Sequence, residues 1–473
     1  MNKKNLLIVI FINVCIILAI FVFTEVFIVS PKAAVWKWAK YENTDQLSDI
    51  SFADKALTKL SAHQISDLLY NDWQKINNPR YKEYWDKKSI KLSNTTNFER
   101  ENISSTSGTE MRWCVNDNDI EFVGISESAF THNDSINSDS INIVKTLFFE
   151  EITDHEMKFR YKVFGDQEFG DRSLFISLHG GGNVDSDVND SQWNNQIDLY
   201  SPKEGIYVAP RAPENDWNMW FKSYMPYFYQ ELIRSAICVM GVNPDKIYIT
   251  GYSAGGDGLY RIAPIFADRF ASAAMMAGHP GETSPLSLIN LPYAIWMGEN
   301  DEAYSRNAHA RSWGIALDSL QAETSPEHYI HSINIIKGKG HWMDKADTAA
   351  IDWMSKYIRN PYPKKVVWKN DNELSPRDFY WISIDDKSQR KNSYLVVNND
   401  NNVIDIEECN VSHFTINLND EIVDLDKSVI VNYKGKEIYN SKPKRTIRNI
   451  YESIYKRGDK RYIFIAKIDI AIP

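Results

Sequence analysis

Cysteine is scarce, with four in 473 residues. Cys15 falls in a hydrophobic N-terminal stretch, and Cys114, Cys238 and Cys409 stand far apart with no C-x-x-C spacing. This excludes a disulfide scaffold and a thiolate metal site, and reads as reduced thiols. Positive charge is also in deficit, since 53 Lys and Arg against 63 Asp and Glu leave a net charge of −10. A nucleic-acid binder carries a basic surplus to neutralise phosphates, so nucleic acid is not an expected partner. Internal repeats, low-complexity tracts, a Walker A loop, a G-x-G-x-x-G fingerprint and an H-E-x-x-H pair are all missing. Neither a cofactor nor a metal is therefore expected. What remains is a chain with 43% hydrophobic and 13% aromatic residues, enough to bury large cores and unlike a disordered protein. Its length predicts two to four folded units.

Residues 6–30 (LLIVIFINVCIILAIFVFTEVFIVS) are apolar except for Asn13, Thr24, Glu25 and Ser30, and Lys3 and Lys4 precede them. The run is long enough to cross a bilayer core of about 30 Å. It exceeds the apolar region of about 7–15 residues in a cleavable signal peptide, and no A-x-A-like site follows it closely. The expectation is an uncleaved signal anchor whose charge pattern exports the rest of the chain, leaving an extracytoplasmic domain held at the membrane. The alternative is a cleaved signal peptide and a secreted or periplasmic protein. N-x-S/T sequons stand at Asn94, Asn102, Asn133, Asn189 and Asn410, of consequence only in a glycosylating host.

Four regions follow: the membrane segment 1–30, an N-terminal region 31–150 of unknown role, a catalytic domain 151–360 and a β-domain 361–473. Within the second, Ser61–Trp73 carries Ile65, Leu68, Leu69 and Trp73 at helical spacing, with Ser61 as N-cap. From Met157 to Ile358 strands and helices alternate, the signature of a mostly parallel α/β sheet. Beyond Pro361-Tyr362-Pro363 the pattern turns to short alternating strands with Lys434-Gly435 as a tight turn, predicting a small sandwich nearly without helices.

The chemistry sits in the α/β region. Gly251-Tyr252-Ser253-Ala254-Gly255 is a G-x-S-x-G between an apolar strand and a helix starting at Ala254. That context makes Ser253 a nucleophile at a strand-to-helix elbow. Upstream, Leu178-His179-Gly180-Gly181-Gly182-Asn183 ends another strand. Its backbone N–H groups at Gly180 and Gly181, with that of Ala254, would form an oxyanion hole. An acid and then a base should follow in chain order. Asp301 is the favoured acid in Gly298-Glu299-Asn300-Asp301-Glu302, with Glu299 and Glu302 as rivals. His341 in Lys337-Gly338-Lys339-Gly340-His341-Trp342 is the favoured base, with His279 second. His179, Trp217, Trp220, Tyr252 and His279 are the substrate-binding candidates at the mouth of the sheet.

The segments SLHGGGN (177–183), WNMW (217–220), GYSAGGDG (251–258), AGHPGETSP (277–285), MGENDEAYSRN (297–307) and GKGHWMD (338–344) together resemble the bacterial α/β-hydrolases of the polyhydroxybutyrate depolymerase and LpqC-like esterase group. The resemblance runs over about residues 155–470 and leaves 31–150 outside. It implies an α/β-hydrolase fold and a carboxylesterase-type serine hydrolase with Ser253, Asp301 and His341 as its triad, acting on a small-molecule or polymeric ester. A serine peptidase on the same fold and a non-catalytic binding ectodomain are the alternatives. No propeller repeat of the prolyl oligopeptidase type is present, which disfavours the peptidase.

Overall fold

The computed structural model describes residues 54–92, 109–116, 119–126, 155–371, 376–384 and 390–473. The expected membrane segment 6–30, Cys15 and the sequons at Asn94, Asn102 and Asn133 lie outside these residues. Among the described residues no helix is long and apolar enough to cross a membrane.

The first element is α1 (Lys59–Lys87), capped by Thr58, whose side chain accepts from the Ser61 N–H. The helix therefore starts before the expected cap, and it runs on past Trp73 through Pro79. It leads into β1 (Ser89–Leu92), which pairs antiparallel with β4 (His155–Phe164). Between them in sequence, β2 (Thr109–Asn116) and β3 (Asp119–Ser126) form an antiparallel pair of their own. Residues 31–150 thus contribute an edge strand to the main sheet, which begins well before the expected boundary at 151. Only pairing with a strand some 65 residues later reveals this, because four residues carry little pattern by themselves.

The main sheet continues with β5 (Arg172–Leu178), β6 (Gly205–Pro210), β7 (Val242–Tyr252), β8 (Ser272–Met276), β9 (Tyr293–Gly298) and β10 (His331–Ile336). Its spatial order is β1-β4-β6-β5-β7-β8-β9-β10. The last six strands in this order are parallel, and β1 and β4 are antiparallel to their neighbours. This is the α/β-hydrolase topology. Helices α2 (Ser186–Gln196), α3 (Met225–Met240), α4 (Ala254–Ile265), α5 (Arg306–Glu323) and α6 (Ala349–Met354) connect or follow the strands. Both faces are covered, and alternate side chains serve two cores. Leu174, Ile176 and Leu178 of β5 pack with α3 and α4 on one face, and Phe175 packs with Ile351 and Met354 on the other. Because β5 leads outward to β6 while the chain returns past it to β7, a crevice opens at the carboxyl ends of these strands.

The C-terminal region contains β11 (Lys365–Lys369), β12 (Asp378–Phe379), β13 (Ile382–Ile384), β14 (Tyr394–Asp400), β15 (Val403–Cys409), β16 (His413–Leu418), β17 (Val429–Tyr433), β18 (Lys436–Ser441) and β19 (Ala466–Ala471). They form sheets of order β11-β14-β15-β17-β18 and β12-β13-β16-β19. The expectation of a region almost without helices needs correction. Helix α7 (Ile447–Arg457) is capped by Thr446, ends at Gly458 with φ +59°, and buries Ile447, Ile450 and Ile454. Its i, i+3, i+7 spacing marks a helix, and the strand expected over 461–470 starts only at Ala466.

Buried ion pairs tie this region to the α/β unit. Arg457 pairs with Asp268, and Arg359 Nη2 reaches Asp245 and Asp459 at 2.8 Å each. Losing one partner of such a pair leaves a charge buried without compensation, at a cost of about 3–5 kcal/mol.

Candidate active site

β7 delivers Ser253 into an unusual backbone conformation, φ +56° and ψ −117°, immediately before α4. A non-glycine residue there carries about 1–3 kcal/mol of strain. The turn is held by the Ser253 N–H donating to the Met276 carbonyl at 3.0 Å and by the Asp257 N–H donating to the Ser253 carbonyl at 2.8 Å. Gly255 is needed because a Cβ there would collide with the carbonyl oxygen of Leu178, so α4 can approach β5 only at glycine. The result is a serine hydroxyl raised above the sheet at the start of a helix, where the N–H of Ala254 has no intrahelical partner.

Three loops converge on that hydroxyl. After β9, the buried carboxylate of Asp301 accepts from His341 Nδ1 at 2.8 Å. His341 Nε2, on the loop after β10, lies 2.9 Å from Ser253 Oγ. With Nδ1 carrying the proton toward Asp301, the Nε2 lone pair faces the hydroxyl. The rival carboxylates lie elsewhere. Glu299 accepts from the Gly338 N–H at 2.8 Å and so joins the two loops, while Glu302 is exposed. Arg306 Nη1 approaches the second oxygen of Asp301 at 3.8 Å.

The third loop follows β5. His179, expected to bind substrate, is fully buried. Its Nδ1–H donates to the Gly180 carbonyl at 2.6 Å and its Nε2 accepts from the Ala212 N–H at 3.2 Å. Burial pushes its pKa down to about 3, so it stays neutral. Trp220 is likewise buried, its indole N–H donating to the His179 carbonyl at 2.9 Å. Both residues shape the loop from inside the protein and cannot touch a ligand. Trp217, by contrast, is 58% exposed, and its backbone packs where a Cβ on Gly182 would sit.

One support of this loop escaped the sequence reading. Asn189 is buried, accepts from the Gly182 N–H at 2.9 Å and donates to Asn215 Oδ1 at 3.0 Å. Arg211 donates to the same Asn215 oxygen at 2.6 Å and to Asp190 at 2.7 Å. The sequon at Asn189 is therefore a structural asparagine that no glycan can occupy. The Gly182 N–H is engaged by Asn189 and the Asn183 N–H by the Asn215 carbonyl, while Gly180 lies against Ser253, so that a Cβ on it would come within 3.2 Å of Ser253 Cβ.

Tyr252 is nearly buried and reaches under the base loop, donating to the His341 carbonyl at 2.7 Å and accepting from the Met343 N–H at 3.1 Å. Its place is behind the histidine, a supporting position where a ligand contact was expected. His279 is half-buried on the loop after β8, with its backbone N–H bonded to Asp257 at 2.6 Å, and it lies apart from the hydrogen-bonded chain of Asp301, His341 and Ser253. Among the described residues no group of three or more His, Cys, Asp or Glu side chains could hold a metal.

No family model matches the chain, and no curated protein matches it in sequence. Solved structures do match it. A thermostable esterase aligns over 45% of this chain and 62% of its own length, with 19% identity and a TM-score of 0.37. LpqC, a poly(3-hydroxybutyrate) depolymerase from Bordetella parapertussis, aligns over 44% and 86%, with 15% identity and a TM-score of 0.33. Fluorophosphonate-binding serine hydrolase F of Staphylococcus aureus aligns over 43% and 93%, with 15% identity and a TM-score of 0.30. The structural neighbours of this chain thus include esterases, a poly(3-hydroxybutyrate) depolymerase and serine hydrolases, at low identity and over less than half of its length.

Proposed function

We propose that the protein is a serine hydrolase of carboxylic esters working through an acyl-enzyme. The observation that carries this reading is the continuous hydrogen-bonded chain from buried Asp301 through His341 to Ser253, at 2.8 and 2.9 Å, with the serine on a strained elbow. Ser253 Oγ attacks the ester carbonyl while His341 Nε2 takes its proton, and Asp301 holds the imidazole in the tautomer that can do so. The N–H of Ala254 and those of the Gly180-Gly181 loop receive the developing oxyanion, with the N-terminal end of α4 adding its dipole. His341 then returns the proton to the leaving alcohol, and water releases the acid by the same steps in reverse. Consistent with the N-terminal sequence, the catalytic unit would work outside the cytoplasm, tethered by residues 6–30.

A fluorophosphonate probe tests the central claim. The wild-type chain should be labelled and should hydrolyse p-nitrophenyl esters, whereas Ser253→Ala should take no label and lose turnover by several orders of magnitude. Labelling that persists in the variant overturns the assignment.

A further inference from the structure

One wall beside the candidate nucleophile is made of basic groups. Arg261 stands on α4 about 10 Å along the helix from its start, at 1.5 Å per residue. Its Nη1 donates to the carbonyls of Asp257 at 2.7 Å and His279 at 3.0 Å. Its guanidinium also lies 4.2 Å from the centre of the Phe221 ring, and Phe221 meets Trp217 edge to face at 5.3 Å. Arg261 therefore bridges the loop after β8 and the Trp217–Phe221 segment, which packs on the glycine loop at Gly182.

Two imidazoles continue the wall. His279 Nδ1 accepts from the Gly281 N–H at 3.1 Å, which leaves the His279 proton on Nε2 as a donor. Its ring stands edge to face with that of His309 on α5, centroids 4.7 Å apart. Arg306, at the start of α5, adds a nearby positive charge but is itself directed to Asp301. Among the described residues no carboxylate comes within ion-pair distance of Arg261, His279 or His309, and their side chains make no further hydrogen bond. The nearest acid, Asp257, accepts from the His279 N–H at 2.6 Å and lies one turn before Arg261 on α4, close enough to interact electrostatically with its guanidinium. The remaining N–H groups of Arg261 and the Nε2–H of His279 are thus donors without a protein acceptor among the described residues, open to an anion brought by a ligand.

We infer that this wall is an anion subsite, so that the ester cleaved at Ser253 carries a carboxylate or phosphate several bonds from the scissile carbonyl. The inference rests on the serine-hydrolase reading above and adds the class of its substrate. Arg261 and the Nε2–H of His279 hold the anion. His309 lies behind His279 and contributes a second imidazole, while the Trp217–Phe221 pair flanks the segment between anion and ester.

Matched substrate pairs test this on the full chain. Mono-p-nitrophenyl glutarate is compared with p-nitrophenyl glutaramate for a charge on the acyl half. For the alcohol half, 4-acetoxybutyrate is compared with its amide, and acetylated glycerol 3-phosphate with acetylated glycerol. The charged member of at least one pair should exceed its neutral partner in kcat/KM by about tenfold, the worth of one charge-assisted contact. The pair that shows the preference identifies the half and the anion. The preference should shrink with added salt and collapse in Arg261→Gln and in His279→Asn. Arg261 holds two carbonyls, so its replacement risks folding. His279→Asn keeps an acceptor near the Nδ1 position for the Gly281 N–H and removes the Nε2–H, so it carries the test. Equal rates within all three pairs, or a preference that survives His279→Asn, overturn the subsite. In that event, continued labelling and neutral-ester turnover show the hydrolase reading standing, whereas their absence in the wild-type chain removes both.

Discussion

Tyr252 Oη donates to the backbone carbonyl of His341 at 2.7 Å while accepting from the N–H of Met343 at 3.1 Å. The residue immediately before the candidate nucleophile thus pins the loop that carries the candidate base, coupling the positions of two groups that must stay within hydrogen-bond reach. Tyr252→Phe keeps the ring and removes both bonds. We expect kcat for a neutral ester to fall about tenfold with KM little changed, because the loss concerns alignment in the transition state and leaves binding alone. A rise in KM with kcat intact would place Tyr252 in contact with substrate instead.

Two of the three carboxylates in the acid loop separate by function. Asp301 alone touches His341, and Glu299 ties down the Gly338 N–H. Asp301→Asn should cost about 10⁴-fold in turnover with an unchanged thermal melt, since an amide favours the wrong imidazole tautomer. Glu299→Gln retains an acceptor for Gly338 and should lose less than about tenfold. Steady-state rates on one p-nitrophenyl ester decide the order, and the reverse order would reassign the acid.

Asn189 supports the glycine loop from within. Asn189→Ala leaves the Gly182 N–H without its acceptor in a partly buried site, a cost of about 1–3 kcal/mol. Both the melting temperature and kcat should fall. Intact-mass measurement on protein from a glycosylating host should find no glycan at this sequon, and a glycan there would contradict the buried placement.

His179 sets a pH dependence of stability. Burial holds its folded pKa near about 3, below the ordinary imidazole value. The unfolded chain therefore binds a proton that the folded chain refuses throughout the interval from about 6.5 down to 3. The contribution is intact above about pH 6.5 and is lost as pH falls, by up to about 1.4 kcal/mol per unit. Denaturant unfolding between pH 7 and pH 4.5 should show a shallower decline in His179→Gln than in the wild-type chain. Equal slopes would mean that this imidazole is not held neutral.

The candidate site was legible because it is written in short, local signals. G-x-S-x-G after an apolar strand specifies a sharp turn that glycines alone permit, and the order of serine, acid and base along the chain follows the order of parallel strands. Asp301 and His341 could be chosen because each begins a loop at the carboxyl end of a late strand. The amphipathic spacing of α7 was equally present in Ile447, Ile450 and Ile454, and was obscured by the surrounding strands.

What the sequence alone determined was the α/β alternation, the elbow and the identity of the hydrogen-bonded trio, since these depend on backbone conformations and periodicities that neighbouring residues impose. Tertiary structure alone decided which aromatic and histidine side chains face solvent. Trp217 and Trp220 are three positions apart, and one is exposed while the other is buried against His179. It also decided that Ser89–Leu92 joins the main sheet, that Asn189 braces a glycine loop and that Arg261 gathers His279 beside it. Each of these pairs residues distant in the chain, and burial, hydrogen-bond satisfaction and charge environment exist only once the chain has brought them together.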